Sequence, residues 1–386
     1  MMLKRFIALI MSLSLSGISE AAYSFYRSVT IDHTKVPNTD QAAFTFLVCA
    51  NGSSPCNASV SGLNQSGAGA KVQNANGYDI GFFTDTGCTT KVTGWDIDRY
   101  VASTGELEAW VNAGTVSHTS DTVVYLCYDD SGISTYQSTR ANAYDSHTKA
   151  VAHFGDGSTL DDTETISGGL GRDSASAVAG QIAGGIERIT GGYMTWDGTS
   201  PSTVNITFSA SADHTISFWH KKTTANNSDP GNNRFFLTLG SSNFEYYSPY
   251  SGDNNLYWDD GGTGNGRIFT SYTAYLDAWT YVVLNGKGDN SFGAIYLNGV
   301  QKATRSVGQT PASGTHSGWI TPYVPGATDD IDEYRIADAV RSADWVATEY
   351  NNQSSPGTFI TFGTETAVGG GGGSPATATN LPLMGI

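Results

Sequence analysis

The sequence is poor in charge, and poorest in positive charge: 15% of its 386 residues are Asp, Glu, Lys or Arg, with 20 basic residues against 36 acidic ones. A net charge of −16 repels phosphate backbones, and no basic stripe interleaves with the aromatic residues, so nucleic acid is not an expected partner. Solubility and divalent-cation binding are the roles left for so acidic a chain. Long apolar runs are missing as well. The one at the N-terminus falls well short of the ~20 residues that a spanning helix needs, and no membrane span is expected after it. Catalytic signatures are equally scarce. There is no G-x-S-x-G elbow, no H-E-x-x-H zinc helix and no phosphate-binding G-x-x-x-x-G-K-[ST] loop, and Gly262-Thr-Gly-Asn-Gly266 lacks the spacing of a dinucleotide fingerprint. The seven histidines are scattered, none paired at metal spacing, and read as structural or solvent-facing.

Cysteine is rare, and its placement is informative. Cys49, Cys56, Cys88 and Cys127 all fall in the first half of the chain, without a C-x-x-C or Cys/His zinc pattern. Four cysteines allow three pairings. The favoured one joins Cys49 to Cys56 around a Gly/Ser/Pro/Asn loop and Cys88 to Cys127 across two expected strands. Such bridges belong to an oxidising compartment. The N-terminus agrees: Lys4-Arg5 form a basic n-region, residues 6–15 an apolar stretch and Ser19-Glu-Ala21 a small-residue cleavage site. Residues 1–21 therefore read as a signal peptide, and secretion or an extracellular-surface location is expected. Removing Lys4, Arg5 and Glu20 takes away two positive charges and one negative, leaving −17.

What the chain does contain is turn and strand chemistry. It has 46 Gly, 20 Tyr and 16 Phe, and its β-branched and aromatic runs are punctuated by Gly, Asn, Asp and Ser, the pattern of β-sandwiches. Residues 28–32, 44–48, 78–83, 106–111 and 122–126 form five strand-like runs in a first unit, residues 22–144. In the second, residues 145–364, Asn298-Gly299 sits between Ile295-Tyr-Leu297 and Val300-Gln-Lys302. Both turn residues tolerate the positive φ of a two-residue type I′ turn, which predicts a hairpin. Ser342 is placed to cap a short helix that Asn351-Asn352 and Pro356 would end. Residues 365–386, with Gly369-Gly-Gly-Gly-Gly-Ser-Pro375, read as a flexible linker and tail.

Ala294-Ile-Tyr-Leu-Asn-Gly-Val-Gln-Lys302, Ile331-Asp-Glu-Tyr-Arg-Ile336 and the stretch from Arg341 to Tyr350 together resemble the closing third of a laminin-G-like jelly roll of the concanavalin-A-like superfamily. Ala150-Val-Ala-His-Phe-Gly-Asp-Gly157 and Gly180-Gln-Ile-Ala-Gly-Gly185 resemble its opening, and Thr215-Ile-Ser-Phe-Trp-His220 its first long core strand. The first unit, through Gly77-Tyr-Asp-Ile-Gly-Phe-Phe83 and Thr104-Gly-Glu-Leu-Glu-Ala-Trp-Val111, resembles a domain of unknown function. That domain often precedes such jelly rolls in secreted bacterial and environmental proteins. The resemblance implies an all-β chain of two β-sandwich domains, the second a concanavalin-A-like jelly roll.

The resemblance also directs the search for a site. The glucanase branch of the superfamily carries E-x-D-x-x-E on one strand, and Asp330-Ile-Asp-Glu-Tyr-Arg335 departs from it at the first and last acidic positions. No catalytic residue is assigned. Jelly rolls of this kind often hold calcium where the start of the domain meets a late strand, and Asp156 and Asp332 match those places, with Asp329 and Asp330 competitors. Calcium takes six to eight oxygens, and Gly-flanked aspartates leave carbonyls reachable. Tyr246-Tyr247, Tyr250, Asp253 and Tyr257-Trp258-Asp259-Asp260 form an aromatic and acidic cluster. Sugar rings stack their C–H faces on aromatics and hydrogen-bond through their hydroxyls, so Tyr257, Trp258 and Asp259 are the candidate glycan ligands. The reading is a secreted, non-enzymatic protein that binds carbohydrate or a surface polymer, with calcium as a candidate cofactor. A structural subunit of an extracellular or virion-associated assembly, docking by its tail, is the alternative, and a polysaccharide-degrading enzyme the second.

Overall fold

The computed structural model describes residues 23–369 except 51, 53–54, 57–58, 155–170, 174–175, 183, 188–192, 196–205, 209–212, 224–233, 240–241, 248–252, 261–266, 289–290, 306–313 and 321–328. The expected leader, Asp156 and the tail beyond residue 369 lie outside the described residues.

Among the described residues the first unit opens with β1 (Phe25–Ile31), β2 (Thr45–Ala50), β3 (Gly81–Phe83), β4 (Gly94–Val101), β5 (Glu106–Asn112) and β6 (Thr122–Tyr128). The jelly roll begins with β7 (Thr148–Ala152), β8 (Gly171–Asp173), β9 (Ser176–Ala179), β10 (Gly184–Glu187), β11 (Tyr193–Thr195) and β12 (Ile206–Phe208). It continues with β13 (His214–Lys222), β14 (Arg234–Leu239), β15 (Ser242–Tyr247), β16 (Asn255–Asp260), β17 (Arg267–Ser271) and β18 (Thr280–Gly286). Then come β19 (Gly293–Leu297), β20 (Val300–Arg305), β21 (Gly314–Ile320), β22 (Asp329–Ala337), the helices α1 (Ala343–Ser354) and α2 (Pro356–Phe359), and finally β23 (Ile360–Phe362) and β24 (Thr366–Ala367).

The protein is all-β, and every pairing between named strands is antiparallel. In the jelly roll one sheet runs β20-β19-β18-β13-β22-β10-β9, with β7 also on β22. The other runs β17-β16-β15-β14-β21-β11-β8, with β12 on β21. Ile216 and Phe218 of β13, Val282 and Leu284 of β18, and Leu256 and Trp258 of β16 fill the layer between them. The expected hairpin is present: Asn298 and Gly299 have φ of 51° and 76°, and the Asn298 side chain accepts the Tyr281 N–H at 2.8 Å, tying the turn to β18. Ser342 caps α1 by accepting the Trp345 N–H at 3.0 Å.

The helix does not stop at Asn351-Asn352. Both side chains find partners in the first unit, which removes the reason to break. Asn351 donates to the Lys35 carbonyl at 2.9 Å, and Asn352 accepts the Leu47 N–H at 2.7 Å on the open edge of β2. That edge is thereby satisfied without another strand.

The boundary expected at residue 364 is not a boundary between sheets. After α2 the chain returns to the first unit, where β23 and β24 pair with β1, so that one sheet runs β23-β1-β6-β3. Phe359 and Ile360 join its core beside Val29, Ile31 and Phe46. The second sheet, β2-β5-β4, is buried on both faces. Phe46 and Val48 point into the first core, while Leu47, Cys49 and Trp110 pack against Tyr144, Val151 and Ile182 of the jelly-roll side. β4, Gly-Trp-Asp-Ile-Asp-Arg-Tyr-Val, was absent from the expected strands although Trp95, Asp96, Ile97 and Asp98 alternate apolar with polar; the double burial shows in Asp96, buried like Trp95 and Ile97 and paired with Arg140 at 2.6 Å. Both favoured disulfides, Cys49–Cys56 and Cys88–Cys127, are formed.

Candidate functional site: an outer aromatic face and a buried acidic centre

Strand alternation decides which of the three glycan candidates is available. In β16, Leu256 and Trp258 face the core, so Tyr257 between them faces outward. Trp258 is 1% exposed, its ring in edge contact with His214, and it cannot stack on a ligand arriving from solvent. It leaves the candidate set. Asp259 pairs through its backbone with Arg267 and Glu245, and its side chain is outside those described. Tyr246 is buried, its hydroxyl 3.0 Å from His220 Nδ1.

The residue that the sequence reading missed is Phe269. It lies opposite Tyr257 in the β16–β17 register, 57% exposed, with ring centroids 5.7 Å apart. The Arg267 guanidinium sits 5.0 Å over the Tyr257 ring, and the Tyr257 hydroxyl donates to Asp253. Burial would raise the Asp253 carboxyl, but the hydrogen bonds from Tyr257 and Asn255 outweigh it and hold the group below its ordinary value. In the backbone register Tyr247 of β15 lies opposite Tyr257. The signal for Phe269 was its alternation with Ile268 in Arg267-Ile-Phe-Thr-Ser, which puts one of the two on each face.

The acidic residues of β22 occupy a different place, where the two units meet. A bulge sets their directions: Ser217 pairs with Arg335 but Trp219 with Asp332, and Glu333 carries a φ of 51°. Asp330 points to the rim and pairs with Lys221 at 3.2 Å, away from Asp332. Asp332 is fully buried. Its Oδ2 accepts the Ile182 N–H at 2.8 Å, while Oδ1 has no hydrogen-bond partner among the described residues. Burial, then the charges of Glu333 and Asp98, push its carboxyl well above the ordinary range.

Around Asp332 the two units share one charged network. His153 Nδ1 lies 2.8 Å from Glu333, and Nε2 lies 2.7 Å from the Tyr144 hydroxyl and 3.7 Å from Asp96. Burial opposes a charge on His153, but Glu333, Asp98 and Asp96 outweigh it and hold the imidazole protonated well above its usual range. Arg335 bridges Glu333 and Glu349, each at 3.1 Å. The Trp110 ring is held between the His153 ring, stacked at 5.3 Å, and the Arg335 guanidinium at 4.0 Å. Asp98, His153 and Glu333 bring ligand atoms within 4.8 Å of one another, a grouping invisible in sequence because its members come from β4, the end of β7 and β22.

The cation expected at Asp332 can be tested against these surroundings. A Cβ on Gly180 would stand 2.2 Å from the Gly184 carbonyl and 2.6 Å from Asp332 Oδ2, so a glycine is required for the loop to wrap the carboxylate. The oxygen that meets this loop is Oδ2, already held by the Ile182 N–H, while Oδ1 is the one without a hydrogen-bond partner among the described residues. Asp156 lies outside the described residues, and Asp330 is committed to Lys221.

Comparison with known families gives the domain its place. Residues 191–347 match the laminin-G type of the concanavalin A-like lectin/glucanases superfamily. No curated protein sequence is similar to the chain. Among solved structures, the binding domain of botulinum neurotoxin serotype D is similar at 11% identity and a TM-score of 0.40, over 54% of this chain and 51% of that one. The binding domain of Paraclostridial Mosquitocidal Protein 1 is similar at 14% identity and a TM-score of 0.39, over 53% and 52%. Domain 4 of AbnA, an extracellular arabinanase from Geobacillus stearothermophilus in complex with arabinotriose, is similar at 16% identity and a TM-score of 0.39, over 52% and 96%. The chain spans about half the length of the toxin domains it is similar to.

Proposed function

We propose that the protein is an exported, non-enzymatic binding protein whose laminin-G-like domain recognises a carbohydrate or surface polymer across the outer face of β16 and β17. The observation that carries this reading is Phe269, the most exposed of the large apolar side chains among the described residues, standing beside Tyr257 and flanked by Asp253 and Arg267. An aromatic face pays a hydration penalty in water that a sugar's C–H face relieves, and the neighbouring charged groups serve its hydroxyls. The domain's match to a superfamily that includes lectins supports the same reading. Binding rather than hydrolysis is favoured because Asp332 and Glu333 are buried between the units and Asp330 is paired with Lys221. Calcium held by Asp332 and Asp156 belongs to this proposal as a brace for the domain. The two disulfides are consistent with an extracellular location.

The test is a glycan-array screen of the secreted chain, with calcium and with chelator, beside Phe269→Ala and Tyr257→Ala. Saturable binding that weakens about tenfold in each variant, equivalent to ~1.4 kcal/mol, is the expected result. Deleting residues 370–386 should leave it intact. Failure of the unaltered protein to bind any glycan would refute the reading and favour a structural subunit.

A further inference from the structure

The junction between the two units gathers more negative charge than its own cations answer. In β4, Trp95 and Ile97 belong to the first core, which turns Asp96 and Asp98 toward the jelly roll. There they meet Glu333 of β22 and His153, just after β7. Among the described residues this network holds five carboxylates, those of Asp96, Asp98, Asp332, Glu333 and Glu349. Against them stand the guanidinium groups of Arg140 and Arg335 and the imidazole of His153. Even with His153 charged, two negative charges are left over. His153 and Glu333 are 2% and 1% exposed, so water does little to screen them. Asp332 shows the shortage from a second side: its Oδ1 is buried with no hydrogen-bond partner among the described residues.

We propose that Asp98, His153 and Glu333 hold a divalent transition-metal cation of the zinc type, which clamps the two units together. This site is separate from the calcium at Asp332 and Asp156 and does not rest on glycan binding. One imidazole with two carboxylates suits zinc and its neighbours, whereas calcium takes oxygen ligands. The three ligand atoms lie within 4.8 Å of one another. Donors ~2.0–2.2 Å from one ion stand at most ~4.4 Å apart, so closure asks for only a few tenths of an ångström. The imidazole is oriented for the role. Nδ1 lies 2.8 and 3.0 Å from the two oxygens of Glu333, and Nε2 lies 2.7 Å from the Tyr144 hydroxyl. With Nε2–H donating to Tyr144, the Nδ1 lone pair faces the carboxylate, and an outer hydrogen bond fixes the ring as it does for metal-binding histidines. Trp110, stacked at 5.3 Å, holds the plane of the ring. Arg335 donates to Glu333 Oε2, which leaves Oε1 to the ion. In the metal-free protein a proton on Nδ1 takes the place of the ion, and binding releases it.

The experiment uses the full secreted chain, purified without a histidine tag, stripped by chelator and titrated with zinc and with cobalt. About one ion should bind per chain, with release of about one proton and with visible cobalt bands from mixed nitrogen and oxygen ligands. Excess calcium should not displace it. Asp98→Asn and His153→Gln should each weaken binding by more than the ~10–100-fold that loss of an outer partner costs. His33→Gln, in the exposed grouping of Asp32, His33 and Asp121, should leave it unchanged. Absence of stoichiometric zinc or cobalt binding by the natural chain would overturn the proposal. So would binding that both junction variants retain, that calcium displaces or that needs His33. Circular dichroism of the metal-free variants separates loss of the site from loss of the fold, and the titration of the natural chain stands whichever variant misfolds.

Discussion

Removing the Asp145 carboxylate should destabilise the protein by about 3 kcal/mol. Asp145 sits in the connection between the two units and Arg341 in the turn between β22 and α1. Both guanidinium arms reach the carboxylate, Nη1 to Oδ2 at 2.6 Å and Nη2 to Oδ1 at 2.7 Å. Oδ1 also accepts the Thr148 N–H and hydroxyl at 3.0 and 2.7 Å, and Arg341 lies 4.2 Å over the Trp345 ring. The side chains are 10% and 12% exposed, so the pair belongs nearer to the buried class than to the surface class. Breaking a buried pair from one side costs ~3–5 kcal/mol, against ~0–1 for surface pairs, and partial exposure with the retained Trp345 contact argues for the lower end. The assay is denaturant unfolding of Asp145→Ala, Arg341→Met and the double variant, followed by tryptophan fluorescence and circular dichroism with coincident transitions. A coupling of ~1.5 kcal/mol or more is expected, because the double variant strands no charge. The pH dependence has a defined sign. Burial would raise the Asp145 carboxyl, but Arg341 and Thr148 prevail and hold it below its ordinary 3.8. Its stabilisation is therefore complete above that value and is lost as the pH falls through the depressed folded pKa. A cost under ~1 kcal/mol, or a contribution that fades on the alkaline side, would refute the reasoning.

His153 should show the opposite sign: its folded pKa is raised, so its stabilisation is complete below 6.5 and is lost as pH rises through the folded value. The stability difference between the protein and His153→Gln, measured by thermal unfolding across pH, should narrow only toward alkaline pH. The disulfides should rank by the loops they close, with sequence separations of 39 and 7 residues. Chain entropy gives about 4 kcal/mol for Cys88–Cys127 and about 2.5 for Cys49–Cys56, so denaturant unfolding of the paired Cys→Ala variants should place the first below the second.

How much of this was legible in sequence depended on the range of the interaction. Asn298-Gly299 and the Ser342 cap are local devices, and both formed as read. The disulfides followed from loop composition and strand position. The phase of β16 was not legible, because Tyr257 and Trp258 are both aromatic and alternation alone allows either to face the core. Leu256 and Ile268, which lies opposite Trp258, settle it through packing. The acidic centre was half legible: Asp332 was singled out, but its companions Asp98 and His153 come from strands far away in sequence, and Glu333 reaches them through a bulge. The return of the chain to β1 was hidden because Ile360-Thr-Phe362 is too short to announce a strand.

That return makes the first sheet the last to be finished. Arg27 donates to the Gly363 carbonyl across a separation of 336 residues, and Val368 N–H reaches the Ser24 carbonyl at 2.9 Å. Until the whole laminin-G-like domain exists, β1 has a partner on one side only, and its free edge invites pairing with another chain. Closing so long a loop is a slow step in folding. A chain threaded N-terminus first through a membrane would thus emerge with its opening strand unlatched, and residues 360–368 would act as the bolt.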